Sequence, residues 1–293
     1  ISVADVCDGN PVNFSNSSSI SDGTSLSFAW DLGDASASTD VNPVHSYSGY
    51  GHYPVRLIVT SVNGCLDTMD VTANVNPLPV AGIAVVSVCE GIPAEFNDAS
   101  SVAEGQVSGW NWNFGDGGSS SERNVAHPYT DYGNYFITLD VVTDHGCPDH
   151  TDYNLRVKPN PDPDFTAIND CVGKPTPFSD YSTIPTGSIV NWHWEFGDGT
   201  SEDNQNPVHM YPYSGYYDVS LTETSDSGCV YTYVRQQAVN VYAGPSADFT
   251  SNAELADDNY PFVQFYNQTS TTGQFFWSFG DGDTSVYFAP NHT

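Results

Sequence analysis

One short motif repeats along the chain at a nearly constant spacing. Tryptophan and phenylalanine (leucine in the first copy) alternate with polar residues and run into Gly-Asp, which is typical of a strand with one buried face that ends in a tight turn. The motif begins at Trp30, Trp112, Trp194 and Trp277. Successive tryptophans are about 82 residues apart, and a unit of that length can enclose its own core. This spacing predicts a tandem array of small β domains.

The remainder of each repeat also has the pattern of strands. Alternating segments such as 51–57 are separated by turn signals about every 8 to 12 residues, which predicts an all-β fold of seven-stranded antiparallel sandwiches of the immunoglobulin type. Short junctions containing proline, such as 76–79, predict semi-rigid joints. We predict four domains, of which the first lacks its opening strand and the fourth is partial: 1–76, 77–158, 159–242 and 243–293.

The charge of the chain excludes several classes of function. Asp and Glu total 36 against 6 Lys and Arg, for a net charge of -30. A nucleic-acid-binding protein needs cations to contact phosphates, so this class is excluded. Aromatic residues make up 13% of the chain, which argues against disorder despite the charge. No apolar run is long enough to span a bilayer.

The six cysteines follow the same period as the motif. Each complete repeat contains two, and their separation is the same in all three repeats. We therefore predict one disulfide inside each repeat: Cys7–Cys65, Cys89–Cys147 and Cys171–Cys229. The rival pairing would join neighbouring repeats through Cys65–Cys89 and Cys147–Cys171. Zinc is a weaker explanation because the C-x₂-C spacing is absent. Disulfides predict an extracellular location.

Three motifs occur in the same order in the repeats and resemble those of the PKD (polycystic kidney disease) domain. They are Trp-x-Phe-Gly-Asp-Gly, Asn-Pro-x-His-x-Tyr and Gly-x-Tyr-x-Val-x-Leu. The sequence departs from them at Ala35, which replaces the final glycine, and at Val125 of the segment Val125-Ala126, which replaces the proline of Asn-Pro. The resemblance implies a β-sandwich spacer or adhesion module with no catalytic activity and no cofactor. Tandem PKD domains with an added cysteine pair are similar to those in secreted surface proteins of the Bacteroidota, including adhesins.

The recurring tryptophan, aspartate and histidine of each repeat are predicted to be structural. An active site usually needs a histidine once, whereas a fold needs it in every copy. We expect the tryptophans to lie in the core, the aspartates to accept hydrogen bonds from turn N–H groups, and the histidines to hydrogen-bond backbone or a nearby tyrosine. The residues are Trp30, Asp34, His45, Trp112, Asp116, His127, Trp194, Asp198, His209, Trp277, Asp281 and His292.

Other residues are candidates for binding or modification. Tyr50, Tyr132 and Tyr216 recur beside glycines and are candidates for glycan contact. Asp162 and Asp164 at one junction are candidate ligands for a single calcium ion, which takes six to eight oxygens. The candidate glycosylation sites are Asn13, Asn16, Thr68, Asn267 and Asn291.

The leading functional hypothesis is a non-catalytic extracellular protein, a semi-rigid stalk or filament built of tandem domains. The alternative is a carbohydrate-binding spacer of a secreted polysaccharide hydrolase. The expected partners are neighbouring copies or further domains of the same protein, with glycans as a further class and no nucleic acid. The fourth repeat lacks the second half of a sandwich, and we expect more of the chain or a neighbouring protomer to complete it.

Overall fold

The computed structural model describes residues 1–252, 261–269 and 273–293. The chain divides into two compact units, Ile1–Asn160 and Pro161–Thr293. Unit 1 contains the first two repeats, and unit 2 contains the third and fourth. Every regular element among the described residues is a β-strand, and within them no helix is long and apolar enough to cross a membrane.

Unit 1 contains two sandwiches with the same order of strands. The strands of domain 1 are β1 (Ser2–Val3), β2 (Val6–Cys7), β3 (Val12–Ser15), β4 (Leu26–Asp31), β5 (Ala37–Ser38), β6 (Val44–His45), β7 (Gly51–Ser61) and β8 (Leu66–Asn76). The strands of domain 2 are β9 (Ile83–Ala84), β10 (Ala94–Asp98), β11 (Val107–Asn113), β12 (Ser119–Ser120), β13 (Asn124–His127), β14 (Gly133–Thr143) and β15 (Pro148–Val157).

Unit 2 repeats this order in domain 3 and begins it again in the fourth repeat. The strands of domain 3 are β16 (Phe165–Ala167), β17 (Pro175–Asp180), β18 (Ile189–Glu195), β19 (Ser201–Glu202), β20 (Val208–Met210), β21 (Gly215–Ser225) and β22 (Val230–Val241). The described strands of the fourth repeat are β23 (Phe249–Ser251), β24 (Val263–Asn267), β25 (Trp277–Ser278), β26 (Thr284–Ser285) and β27 (Asn291–His292).

Each complete domain has a three-stranded sheet and a larger sheet built on a long hairpin. In domain 3 the sheets are β16-β17-β20 and β19-β18-β21-β22. The hairpin forms because β21 and β22 are joined by a tight turn in which Gly228 has a φ of 83°. The motif strand β18 lies beside it, with Trp194 opposite Leu221. The immunoglobulin-like sandwich predicted from the sequence is confirmed.

Most pairs of strands are antiparallel, but the opening segment of each complete domain also makes a parallel contact with the closing strand. In domain 1, β2 pairs in parallel with β8, so that Cys7 lies opposite Asn76 at the end of that strand. Isolated parallel bridges join Cys89 to Lys158 and Cys171 to Tyr242. The first cysteine of each domain is therefore beside the end of its last strand.

The first domain has its opening strand, contrary to the prediction. Ser2 in β1 pairs with Ser15, and Ala84 in β9 pairs in the same register with Asn97. The sequence pattern hid β1 because the strand is only two residues long and Val3 is only partly buried.

The motif tryptophans of the three complete domains lie in the cores, as predicted. Trp30 is 2% exposed, and Trp112 and Trp194 are fully buried. Each packs against a phenylalanine of the opposite sheet, with ring centroids 5.4 Å apart for Trp194 and Phe178. Trp277 is only partly buried because the described fourth repeat has no long hairpin to cover it.

The disulfide pairing predicted within repeats is wrong. Cys7 is bonded to Cys147, which joins domain 1 to domain 2. Cys7 lies at the Asn76 end of β8, whereas Cys65 precedes its other end, and a strand of 11 residues is roughly 35 Å long. A disulfide requires Cα atoms within about 7 Å, so these two cysteines cannot meet.

The other four cysteines also depart from both pairings considered from the sequence. Cys89 and Cys229 are disulfide-bonded, whereas Cys65 and Cys171 are free and exposed. The predicted Cys89–Cys147 and Cys171–Cys229 pairs therefore do not form. The rival Cys65–Cys89 and Cys147–Cys171 pairs are excluded for the same reason.

Candidate functional sites

The recurring aspartate and histidine contact each other directly in all four repeats. In domain 3, His209 Nε2 donates to Asp198 Oδ2 at 2.7 Å, and the other carboxylate oxygen accepts from the backbone N–H of Thr200. The imidazole of His209 also stacks on Phe196 at 4.2 Å. The equivalent Asp–His pairs are Asp34–His45, Asp116–His127 and Asp281–His292, with distances of 2.8, 2.7 and 2.6 Å. The aspartate is thus the direct partner of each histidine, and a purely structural role for the pair stays a prediction.

A tyrosine two residues after the histidine completes the cluster in the complete domains. In domain 3 the Tyr211 ring meets His209 edge-on, and its hydroxyl donates to the carbonyl of Phe196 at 3.1 Å. Burial opposes ionisation of Asp198, but hydrogen bonds from Thr200 and His209 hold its pKa below the usual value. Burial raises the pKa of Tyr47, the equivalent of Tyr211 in domain 1, to about 12. Each complete domain thus contains an Asp–His–Tyr cluster that contacts the motif strand and its turn.

Glycine in the motif turn is required by close backbone contact. Gly115 has a φ of 77°, and a Cβ there would lie 2.7 Å from the carbonyl oxygen of Phe136. Gly117 has a φ of 97° with no atom within 4 Å of the Cβ position, so only its backbone conformation favours glycine. Ala35 occupies the equivalent place in domain 1 with a φ of 71°. The departure from glycine at Ala35 is therefore tolerated sterically but strained.

A buried glutamate distinguishes domain 3 from the other domains. Glu223 in β21 is fully buried opposite Trp192, whereas Val59 and Val141 occupy the equivalent positions in domains 1 and 2. Neither oxygen of its carboxyl makes a hydrogen bond within the part of the chain that the structure describes. Burial, reinforced by the charge of Asp180, raises the pKa of Glu223 to about 7.

The groups beside Glu223 are already engaged by another carboxylate. Asp180 accepts hydrogen bonds from the Trp192 indole, the Ser182 hydroxyl and the Gln205 amide. Burial opposes ionisation of Asp180, yet these donors hold its pKa below the usual value. Below about pH 7 the two neighbouring carboxyls therefore differ in charge, because Asp180 is ionised and Glu223 is protonated. Sequence reasoning missed this pair, although aligning the repeats would have revealed a glutamate in a valine position.

Two groups of acidic residues are candidates for cation binding. Asp164 Oδ1 lies 2.6 Å from Arg235, which competes with a cation for this carboxylate. The calcium site suggested at Asp162 and Asp164 thus stays a prediction. In the fourth repeat, ligand atoms of Asp281, Asp283 and His292 lie within 4.8 Å of one another. Three protein ligands are fewer than calcium normally takes, and the Asp281–His292 pair is already accounted for by the recurring cluster.

The candidate glycosylation sites differ in accessibility. The side-chain nitrogens of Asn16 and Asn267 are buried, and this is the atom to which an N-glycan is attached. Asn13, Thr68 and Asn291 are exposed. Modification of the exposed three stays a prediction.

The tyrosines considered for glycan contact are on the surface. Tyr50, Tyr132 and Tyr216 have exposed fractions of 51, 47 and 66%. In the fourth repeat a groove of about 910 Å³ exposes Phe249 and the neighbouring core aromatics. In domain 3 the equivalent Phe165 is fully buried within a sandwich completed by β21 and β22. That a further segment or protomer covers this groove stays a prediction.

Curated proteins that are similar to the chain match it over limited lengths. The pre-pro-metalloprotease PrtV of Vibrio cholerae is 30% identical over 144 residues, which is 49% of this chain and 16% of that protein. The microbial collagenase of Vibrio alginolyticus is 36% identical over 74 residues, which is 25% of this chain and 9% of the collagenase. The chain thus spans less than a fifth of the length of these two relatives.

Solved structures with similar sequences include single domains of other proteins. The PKD1 domain of Vibrio anguillarum Epp is 29% identical, with a TM-score of 0.26, and the match covers 28% of this chain and 95% of that domain. The PKD1 domain of V. cholerae PrtV is 31% identical, with a TM-score of 0.25, and the match covers 27% of this chain and 96% of that domain.

The family comparison covers most of the chain. The model of the PKD domain matches three successive segments, residues 2–76, 74–157 and 156–241. These segments contain the three complete sandwiches and their Asp–His–Tyr clusters. The chain therefore belongs to the PKD domain family.

Proposed function

We propose that the chain is a non-catalytic extracellular spacer, a semi-rigid stalk or filament segment made of tandem PKD domains. The observation that carries this proposal is the Cys7–Cys147 disulfide, which joins one domain to the next. A covalent bond between two neighbouring domains restricts their relative motion. Such a restriction suits a spacer, which holds the structures at its two ends apart. The bonded cysteines also favour an oxidising, extracellular compartment.

The recurring clusters support a role without catalysis. The same Asp–His contact occurs in four repeats, and the histidine ring is stacked on phenylalanine in three of them. Such a histidine is held in place and shielded, whereas a general base must reach a substrate proton. The similarity to metalloproteases and collagenases covers a small part of those proteins, so their activities are not carried over to this chain.

Small-angle X-ray scattering of the full chain tests the stalk. A compact protein of 293 residues has a radius of gyration of about 19 Å. Strands of about nine residues make each domain roughly 30 to 40 Å long, so a row of domains gives a radius of gyration of about 35 Å. A radius close to that of the compact protein would contradict the stalk. Incubation with gelatin, casein and polysaccharides, with release of peptides or reducing sugar as the readout, tests the absence of catalysis.

A second function, carbohydrate binding, is favoured by the exposed tyrosines. Tyr50 and Tyr132 present exposed rings at equivalent places, and Tyr216 presents one two residues further along its repeat. Aromatic rings can pack against sugar faces. Affinity electrophoresis through polysaccharide gels tests this candidate. Retention that is lost in a variant with all three tyrosines changed to alanine would support it. Retention that persists in that variant, or no retention of the native chain, would contradict it.

A further inference from the structure

We propose that the Cys7–Cys147 disulfide is a tension-bearing link, which carries force around domains 1 and 2 instead of through them. The inference rests on the proposed stalk function for its purpose but on the connectivity of unit 1 for its mechanism. The link acts when tension is applied to the two ends of unit 1.

The positions of the two cysteines create a covalent shortcut. Cys7 is six residues from the first residue, and Cys147 is thirteen residues before Asn160, the last residue of unit 1. The bond spans a sequence separation of 140 residues. Tension applied at residue 1 and residue 160 passes along the first segment, across the sulfur atoms and along the last segment. The intervening residues, which form most of both domains, carry no tension.

The disulfide greatly reduces the length to which unit 1 can be stretched. An extended chain spans about 3.3 to 3.6 Å per residue. The loop closed by the disulfide, with a sequence separation of 140 residues, therefore contains about 500 Å of extended chain that cannot be pulled out. The segments left under tension span only about 70 Å when fully extended. Domains 1 and 2 therefore cannot be pulled out into a long chain while this bond is intact.

Cys147 lies in a backbone turn that also occurs in domain 1, where its cysteine is not bonded. Cys65 and Cys147 lie in the same turn of their domains: Ser61 N–H donates to the Cys65 carbonyl and Thr143 N–H donates to the Cys147 carbonyl, both at 2.9 Å. Yet Cys65 is exposed and free, whereas Cys147 is fully buried and bonded. The backbone turn therefore keeps the same hydrogen bond whether or not its cysteine forms a disulfide. The two turns differ in that Cys147 contacts the neighbouring domain through its bond to Cys7.

Polar contacts at the same joint are too weak to replace the bond. His52 Nε2 lies 3.1 Å from Glu104 of domain 2, and His52 Nδ1 lies 2.8 Å from the Asn74 side chain, which also donates to Asp5. The hydrogen bonds to Asn74 and Glu104 raise the pKa of His52. The side chains of His52 and Glu104 are both more than half exposed, and exposed ion pairs contribute little to stability. A pulled joint held only by these contacts would separate.

Single-molecule pulling on the full chain tests the link. One tether is attached to an extension of the N-terminus, and the other to an azide-bearing residue that replaces Asp162, whose side chain is exposed just beyond unit 1. We expect the oxidised chain to release about 500 Å less extension than a variant with Cys7→Ser and Cys147→Ser. Addition of a reductant to the native chain under tension should release the same length. This second measurement does not require the variant to fold.

Controls separate the link from other disulfides and from the stalk. Cys65→Ser should leave the pulling trace unchanged, and alkylation of the oxidised chain should label Cys65 and Cys171 only. Peptide mapping should recover Cys7 joined to Cys147. Full extension of the oxidised chain, or Cys7 joined to Cys65, would overturn the proposal. A compact shape in scattering together with the shortened trace would reject the stalk but keep the link.

Discussion

Replacement of Glu223 is expected to remove a pH dependence from the stability of domain 3. The folded carboxyl has a pKa of about 7 against an ordinary value of 4.5, because it is buried beside Asp180. A carboxyl whose pKa is raised by folding binds protons more tightly in the folded state. The contribution of this carboxyl to the unfolding free energy of domain 3 is therefore fully present below about pH 4.5, and it is lost as the pH rises to about 7.

The magnitude follows from the size of the shift. One pKa unit corresponds to about 1.4 kcal/mol, so domain 3 should lose roughly 3 kcal/mol of unfolding free energy between pH 4.5 and 7. Glu223→Val restores the residue type found at the equivalent positions in the other two domains. The variant should have a nearly flat profile over this range and should be more stable than the native chain at pH 8. Asp180 and Asp198 have lowered pKa values, so their contributions are lost at more acidic pH.

Urea unfolding followed by pulse proteolysis and mass spectrometry, at half-unit steps from pH 4.5 to 8, checks this domain by domain. Domain 2 provides a matched control because Asp98, Ser100 and Trp110 are at the places equivalent to Asp180, Ser182 and Trp192. Val141→Glu should therefore introduce a similar slope into domain 2. If the slope of domain 3 is the same in Glu223→Val as in the native chain, the reasoning is refuted.

Five further substitutions test the packing and the backbone conformation of the motif. Trp194→Ala should lower the unfolding free energy of its domain by roughly 3 to 5 kcal/mol. Trp277→Ala should lower that of its own repeat by less, because the Trp277 ring is only partly buried, and urea unfolding monitored by proteolysis compares the two variants. Gly115→Ala should cost more than Gly117→Ala, since only the former places a Cβ against backbone; equal losses in thermal unfolding would contradict this explanation. Ala35→Gly should stabilise domain 1 by about 1 kcal/mol by relieving its positive φ, and an unchanged midpoint in urea would show that no strain is stored there.

Much of the fold could be predicted from the sequence because it depends on local patterns. The alternation of Trp194 and Phe196 with polar residues identifies a strand with one buried face, and Gly-Asp-Gly identifies its turn. The constant period of the motif then divides the chain into domains. These signals need only the spacing of side chains along a strand, so they predicted the core tryptophans and singled out the aspartates and histidines that recur beside them.

The tertiary structure decided which distant residues meet. Cysteine spacing favoured Cys7–Cys65, but the direction of β8 separates those residues by the length of a strand, and Cys7 meets Cys147 of the next domain instead. Likewise, Glu223 looked like one acidic residue among 36, and only the packing of β21 against Trp192 shows that its carboxyl is buried. A pattern along one strand specifies which face is buried, whereas the end of a domain at which a side chain lies depends on how the strands are arranged in space.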